Sequence, residues 1–475
     1  MSKLIEVLHV ILTNFHPLHF VSGMGIGITS GVMYNFPIES IRRGLKYIGI
    51  IYFFINLFVI IINHLLFSLK YLIFPYILKN DKRYQIKLFD LMHKPQLSVF
   101  LGASQMSFVT MVNMLHYLRP NWIIANFVLW WIVFFQSMCC VIFVTFFNFS
   151  NFTNPIKRKR KKKILNNINN DIEKQNLDDI SINSLHSINS SLKSKSKLKL
   201  KSKFKSITMD DRFNSIVPVL MLPLVTCTVT ASSGGLILST LEDSKLMISM
   251  IIILIMLLSI ALIGSFLCLN VIFVRLYIMG LPKNNLSFTL FVPIGLMGQS
   301  SWGYLLVSKE FIRTIKKGGF KIIGMKSNEM NSNFNSNLFE NIIMIMSLII
   351  SISLIAFGIL LTIWSILGVL YWYIGFPRIG KFKEKFLISN YDKKIYYIGM
   401  IFWSPTMWAA TFPLATISLS SHEIFNITEL IGFKILSTIY GISVIIITTW
   451  CMIGTFLFIV PWGKIRGVYN NNNNK

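Results

Sequence analysis

The chain has 475 residues, 53% of them hydrophobic, and its mean hydropathy is +0.61. Apolar runs of the about 18 residues that a bilayer crossing requires recur along the chain, which excludes an ordinary soluble domain. The formal net charge of +27 is concentrated in one loop and at the ends of apolar runs, where Lys and Arg set membrane topology. This placement disfavours a nucleic-acid-binding protein.

The apolar runs predict ten membrane-spanning helices and therefore an all-α polytopic membrane protein. The predicted spans are approximately 15–36, 44–68, 97–117, 121–147, 213–239, 246–278, 286–307, 338–374, 395–421 and 428–461. The eighth is too long for one perpendicular crossing, so it should tilt, extend into the cytosol or contain a break. Spans one to four occupy residues 1–149, and spans five to ten occupy residues 213–463.

Residues 150–212 separate these two blocks and are rich in Asn, Ser and Lys. A segment with so few aromatic residues cannot bury enough apolar surface to fold alone, which predicts a disordered cytoplasmic insert. Its two basic blocks could contact anionic lipid or flank phosphorylation sites, although a solvated tether that fixes topology is the simpler interpretation. Residues 464–475 form a short C-terminal tail.

The distribution of basic residues predicts that both termini are cytoplasmic. This orientation places the insert, the loop between spans two and three, and the loop between spans eight and nine in the cytosol, and all three are rich in Lys and Arg. The segment 309–326 opposes the rule, because its basic residues would lie on the other side.

The odd-numbered spans differ in composition from the even-numbered ones. They collect Gly, Ser, Thr and interior Pro, whereas proline is absent from the interiors of the even-numbered spans. Irregular backbone and polar groups are tolerated at membrane depth only against protein or a water-filled cavity. The alternation therefore predicts five helical hairpins whose odd members surround a central pore. For any single span, close helix packing explains the small residues equally well.

The polar groups of the odd-numbered spans favour an anion over a cation. No Asp or Glu falls inside these spans, whereas hydroxyls, amides and backbone N–H groups are plentiful. The candidate path-lining residues are Gly23, Gly25, Gly27, Gln105, Thr226, Thr230, Ser232, Ser233, Gly234, Gly235, Gln299, Ser300 and Thr411. Across an inside-negative membrane, outward movement of one negative charge releases about 2.3 kcal/mol per 100 mV, which favours export.

Chemistry other than transport has little support in the sequence. The five cysteines all fall in predicted spans, and neither they nor the histidines have the spacing of a metal site. There is no nucleophile–base set and no nucleotide-binding loop, so we expect no cofactor, no metal and no enzymatic activity. A membrane-embedded enzyme or receptor would require a catalytic cluster or a folded cytosolic domain.

Five short stretches, one in each odd-numbered span, resemble the tellurite-resistance/dicarboxylate transporter family. They are SGMGIGITSG (22–31), GASQMSFVT (102–110), ASSGG (231–235), PIGLMGQSSWG (293–303) and TFP (411–413). The family includes fungal sulfite efflux pumps, fungal malate permeases and plant slow anion channels, and the sulfite efflux branch is the most similar. This chain departs from the family's usual seventh span at four residues: Leu296, Met297, Ser300 and Trp302.

The resemblance implies a fold, a gate and a substrate. The fold is ten helices in five hairpins around a central pore, which the family's ninth-span phenylalanine occludes. Phe412 matches that residue, and Pro413 beside it would supply local flexibility. The implied function is plasma-membrane export of sulfite or bisulfite, with membrane lipid and a homotrimer as expected partners. A dicarboxylate (malate) permease or a less selective anion channel of the same fold is the alternative.

Overall fold

The computed structural model describes residues 2–78, 81, 84, 86–153, 216–282, 284–317, 333–373, 396–398 and 401–460. The predicted disordered insert lies outside the described residues from 154 onward, as does the C-terminal tail 464–475. Ten long helices, α1 to α10, occupy most of the described chain. Their bounds are α1 Phe20–Tyr34, α2 Glu39–Phe67, α3 Leu101–Leu118, α4 Ile123–Cys139, α5 Leu222–Leu238, α6 Ser244–Met279, α7 Val292–Lys316, α8 Asn333–Tyr373, α9 Trp408–Thr428 and α10 Ile431–Gly454.

Shorter elements flank these helices. Helical segments are Ser2–Asn14, Phe74–Ile77, Leu88–Met92, Pro95–Ser98 and Thr145–Thr153, with π-helical turns at Ser68–Ile73, Cys140–Val144 and Thr455–Ile459. 3₁₀ turns are Pro17–His19, Pro218–Met221, Asn284–Phe291 and Pro405–Met407. Two three-residue strands, β1 Tyr396–Ile398 and β2 Ile401–Trp403, pair antiparallel.

Five of the long helices form a closed ring. In order around the ring, α1 packs against α3, α3 against α5, α5 against α7, α7 against α9, and α9 against α1. We call these the inner helices. Each is followed in the chain by an outer helix that packs on it, giving the pairs α1–α2, α3–α4, α5–α6, α7–α8 and α9–α10. The inner helices are the odd-numbered spans of the sequence.

Burial separates the two sets of helices. In the most apolar 18-residue windows of the inner helices α5 and α7, 89% of the residues are buried, against 22–39% for the outer helices. The outer helices instead expose large apolar side chains, such as Phe54 and Phe58 at 60% and 65%. A surface of this kind is stable only in lipid.

Seven helical stretches within the described residues are long and apolar enough to cross a membrane. They are Glu39–Ile77, Ile123–Asn148, Pro218–Leu238, Ser244–Met279, Leu286–Lys316, Leu338–Trp372 and Ile431–Ile459. The inner helices α1, α3 and α9 are not among them, because they are short or rich in Gly, Ser and Thr. The chain is an α-helical membrane protein, as the sequence predicts. That all ten long helices cross the membrane stays a prediction.

The predicted spans differ from the structure at several points. The seventh, for example, was predicted to end at residue 307, whereas α7 continues to Lys316. The eighth span contains no break, because α8 runs through 41 residues without interruption. The ninth was predicted to begin at residue 395, whereas residues 396–398 and 401–403 are strands and α9 begins only at Trp408. Pro405 explains the delay, since a proline disfavours helical backbone in the residue before it.

Hydroxyl groups join inner helices to outer ones. Thr29 on α1 and Thr448 on α10 are hydrogen-bonded at 2.8 Å. The hydroxyls of Ser418 and Ser437 each donate to the other residue's backbone carbonyl at 2.8 Å, which ties α9 to α10. Such bonds act as polar contacts between helices where lipid provides no hydrophobic driving force for their association.

Candidate functional site

A cavity of about 660 Å³ lies where the N-terminal ends of the five inner helices meet, and we call it the proximal cavity. Its wall contains first-turn residues of α1, α5, α7 and α9, residues of the short turns that precede them, and the segment directly before α3 that ends at Phe100. Its polar lining residues are His16, His19, Thr289, Ser404 and Thr406. A helix N-terminus carries unpaired N–H groups and a partial positive charge, so five such ends favour a negatively charged occupant.

Prolines set where these ends lie. Pro17, Pro95, Pro218 and Pro405 each begin a short helical turn that leads into an inner helix. Proline suits a first helical position, because its missing N–H would have no partner there and its backbone angle is already helical. The proximal cavity is therefore built from a repeated local signal in the sequence.

A second, narrow cavity of about 20 Å³ lies further along the same helices, and we call it the distal cavity. Its lining residues are Gly27, Ile28, Gly31, Thr110, Asn113, Met114, Tyr117, Val229, Gln299, Trp302, Phe412 and Leu419. All five inner helices contribute to this wall. Its volume is about that needed for a single water molecule, so it is a constriction and not a chamber.

Phe412 lines both cavities. Its side chain is 2% exposed, and a Cβ placed on Gly295 of α7 would lie 3.3 Å from its ring. The absence of a side chain at Gly295 thus provides the space for the ring. Phe412 thus borders both the wide proximal cavity and the distal constriction.

The backbone around Phe412 is irregular. Pro413 lies inside α9, where its ring removes one backbone donor, and it also lines the proximal cavity. Hydroxyls on either side bond back to carbonyls of the same helix: Thr411 donates to Trp408 at 2.8 Å, and Thr416 donates to Pro413 at 2.7 Å. Gly25 of α1 faces Trp408 and Thr411, so α1 and α9 approach closely here.

The hydroxyl groups of α5 do not offer their protons to a cavity. Thr226 donates to the carbonyl of Pro223 at 2.6 Å, Thr230 donates to that of Thr226 at 2.9 Å, and Ser232 donates to that of Val229 at 3.0 Å. Both Thr230 and Ser232 accept an amide N–H, from Gln105 at 2.9 Å and from Gln299 respectively. α5 is thus fixed between the amides of its two inner neighbours.

The structure separates the candidate path residues into two groups. Gly27, Gln299, Phe412 and Pro413 line a cavity. The others pack between helices: they are Gly23, Gly25, Gln105, Thr226, Thr230, Ser232, Ser233, Gly234, Gly235, Ser300 and Thr411. Gly234, for example, faces Leu254 and Trp130 of the outer helices, and Gly235 faces Leu306. The transport role of every one of these residues stays a prediction.

Several lining residues were not among the candidates. Thr110 and Tyr117 line the distal cavity, and they recur at intervals of three and four residues with Asn113, one of the amides expected in the odd-numbered spans, along one face of α3. That spacing in the sequence is the signal by which they could have been found. His16 and His19 of the proximal cavity lack such a signal, because they lie in the turn before α1.

Charged groups gather at the C-terminal ends of α7 and α9. Lys309 of α7 forms an ion pair with Glu423 of α9, and Arg313 bonds to Glu310 at 3.0 Å. Arg313 also donates to the carbonyl of Ser239 at 2.6 Å, beyond the C-terminal end of α5. In the described residues, no three His, Cys, Asp or Glu side chains are grouped so that they could hold a metal ion.

Comparison with known proteins identifies the family of this chain. The family model SLAC1, described as voltage-dependent anion channel, matches residues 14–456. The chain belongs to this family. Family membership confirms the resemblance seen in the odd-numbered spans and makes a transporter or channel the class to which the chain belongs.

Curated relatives come from fungi. A Candida albicans protein named sulfite efflux pump SSU1 is 24% identical over 98% of this chain and 78% of its own length. A Saccharomyces cerevisiae protein of the same name is 24% identical over 90% of this chain and 83% of its own. One from Arthroderma otae, also of that name, is 20% identical over 94% of this chain and 90% of its own. The similarity extends over nearly the whole chain in each case.

Proposed function

We propose that this chain exports sulfite or hydrogensulfite from the cytosol across the plasma membrane, through a central pore that Phe412 closes. The observation that carries the proposal is that Phe412 lines both the proximal and the distal cavity, inside a closed ring of five helices. Family membership supports an anion as the cargo, and the names of the fungal relatives support sulfite.

In the proposed arrangement, ten membrane crossings form five hairpins, and both termini lie in the cytosol. The N-terminal ends of the inner helices, and with them the proximal cavity, then face the cytosol. The basic insert 150–212 and the basic loops on the same side would raise the local concentration of anions. Anions would collect in the proximal cavity, held by helix N-termini and by the one hydroxyl proton that the bonded pair of Ser404 and Thr406 leaves free.

Phe412 would act as the plug between the two cavities. An apolar ring across a narrow path excludes water and offers an anion no polar contacts in its place, so the cost of losing the hydration shell keeps the path closed while the ring is in position. Movement of the ring would join the cavities, and Pro413 would lower the cost of that movement by removing one backbone hydrogen bond of α9. Membrane lipid surrounds the outer helices in this proposal, and a homotrimer would give each protomer its own pore.

Export needs no coupling to another ion. The inside-negative potential drives one negative charge outward with about 2.3 kcal/mol per 100 mV, so a gated passive path is sufficient. None of the residues that line the proximal or the distal cavity is an Asp or a Glu. A coupled proton relay would normally use such a carboxylate.

The deciding experiment compares cargoes in proteoliposomes that contain the purified protein. We expect sulfite flux to exceed malate, nitrate and chloride flux at equal concentration. A larger malate flux would instead indicate a dicarboxylate permease, and equal fluxes of all four would indicate a less selective channel. In cells, loss of the protein should increase sensitivity to sulfite, and unchanged tolerance without a redundant transporter would contradict the sulfite assignment.

A further inference from the structure

The wall of the distal cavity contains hydrogen-bond acceptors that have no donor in the described structure, beside the donor groups of Trp302 and Tyr117. Gln299 lines this cavity, and its amide nitrogen donates to the hydroxyl of Ser232 on α5. Ser232 gives its own proton to the carbonyl of Val229 at 3.0 Å, so its oxygen can only accept from Gln299. This fixes the orientation of the amide, with the nitrogen toward Ser232 and Oε1 away from it. Oε1 is buried and has no hydrogen-bond partner.

Two further oxygen atoms of the wall, on Thr110 and Asn113, can also only accept hydrogen bonds from an occupant. Thr110 donates its proton to the carbonyl of Ser107 at 2.8 Å, so its oxygen presents only lone pairs to the cavity. The carbonyl oxygen of Asn113 is also buried without a partner. A buried acceptor without a donor costs about 1–3 kcal/mol, so the cavity favours an occupant that brings its own proton.

We propose that the species that passes the distal cavity is the protonated monoanion, hydrogensulfite, and not the sulfite dianion. This inference rests on the proposed function and names the form of its cargo. Hydrogensulfite in its hydroxyl form has one O–H donor for Gln299 or Asn113 and charged oxygens that accept from the Asn113 amide nitrogen. A dianion has no donor, and the carbonyl oxygens of the wall repel it.

The size of the constriction supports the same choice. With Phe412 in place, the cavity of about 20 Å³ has no room for a hydration shell, so an anion that enters it beside the plug loses most of its bound water. The cost of moving an ion out of water rises with the square of its charge, which makes it about four times larger for the dianion. Lower charge and a hydroxyl donor therefore both favour the monoanion.

The first test measures how many elementary charges cross the membrane with each sulfite molecule, in proteoliposomes held at a fixed membrane potential. Labelled sulfite reports the number of molecules transported, and the electrical current reports the charge. We expect one charge per sulfur. With total sulfite constant, flux should fall as the pH, equal on both sides, rises through the second ionisation of sulfurous acid. Nitrate flux, measured in parallel, corrects for any effect of pH on the protein itself.

Two charges per sulfur would overturn the inference but leave sulfite export intact. A sulfite flux that, relative to nitrate flux, stays constant or rises with pH would have the same meaning. Absence of sulfite flux at every pH would instead overturn the proposed function, and the inference with it.

The second test uses a matched pair of substitutions. Gln299→Met removes the unpartnered acceptor and should lower hydrogensulfite flux relative to nitrate flux by about tenfold, the effect of losing one hydrogen bond to a charged species. Gln105→Met loses an equivalent amide contact with α5, to Thr230, but Gln105 lines neither cavity, so this ratio should not change. Equal changes in both variants would show that Gln299 merely positions α5.

A variant close in shape keeps the test informative if Gln299→Met fails to fold. Thr110→Val removes the second acceptor of the wall with little change in volume, and it should lower the same flux ratio. An unchanged ratio in Thr110→Val together with an unchanged ratio in Gln299→Met would overturn the acceptor role of this wall.

Discussion

The proposed roles of Phe412 and Pro413 depend on what surrounds them and not on their side chains alone. Phe412 is packed in the hydrophobic core, at 2% exposure, and it also lines both cavities. The space for its ring comes from another helix, because Gly295 of α7 has no side chain. At the scale of single residues, the candidate plug is thus a phenylalanine together with the glycine opposite.

Replacing Phe412 tests the plug. Phe412→Ala should increase anion flux in proteoliposomes by an order of magnitude or more, because it joins the proximal and the distal cavity. Phe20→Ala is the matched control: Phe20 is 1% exposed in the inner helix α1 and lines neither cavity, so its loss should lower thermal stability without increasing flux. Unchanged flux in Phe412→Ala would contradict the gate assignment.

The inner helices approach one another through glycines. A Cβ on Gly298 of α7 would lie 2.7 Å from the backbone nitrogen of Ile417 on α9, and backbone atoms cannot rotate away. Gly44 lies in the outer helix α2, and a Cβ there would meet no atom within 4 Å. At the scale of elements, a Cβ added at a glycine would therefore clash at Gly298 of an inner helix and would be accommodated at Gly44 of an outer one.

Alanine at these two glycines should show the difference. Gly298→Ala should cost about 1–3 kcal/mol of stability by forcing α7 and α9 apart. Gly44→Ala should leave stability unchanged or raise it by about 0.5–1 kcal/mol, because alanine loses less backbone freedom in a helix. Thermal unfolding of the detergent-solubilised protein measures both. Equal midpoints for the two variants would contradict the close contact of α7 with α9.

At the scale of the whole molecule, the five inner helices all run in the same direction. All five begin at or beside the proximal cavity, so in the proposed pore their N-terminal ends would act together on an anion. In the proposed orientation this side is cytosolic, whereas the turn between α3 and α4, with Trp122 at 54% exposure, faces outward.

Thiol labelling tests that orientation. In a background without the five native cysteines, Trp122→Cys should react with a membrane-impermeant reagent in intact cells. A cysteine in the tail 464–475 should react only after the cells are permeabilised. The reverse pattern would place the proximal cavity on the outside and contradict export from it.

The class of the molecule could be predicted from sequence because its signals are local. Apolar length predicts membrane helices, and Gly, Ser, Thr and Pro mark the helices that cannot face lipid. These signals predicted the difference between outer and inner helices, and the TFP stretch brought Phe412 and Pro413 forward as candidates. The match of the family model to residues 14–456 confirms the resemblance on which the anion-channel class rests.

The lining of the pathway could not be predicted in the same way. An inner helix is buried on all sides, as in α5, where 16 of 17 residues are buried, so no apolar stripe shows which face meets a cavity. Gln105 and Gln299 have the same chemistry and each donates to a hydroxyl of α5, yet only Gln299 lines the distal cavity. The sequence by itself determined a helical membrane protein with a polar, carboxylate-free interior. Only the tertiary structure decided which of these polar groups line a cavity and which are enclosed between helices, because that depends on how the five inner helices close into a ring.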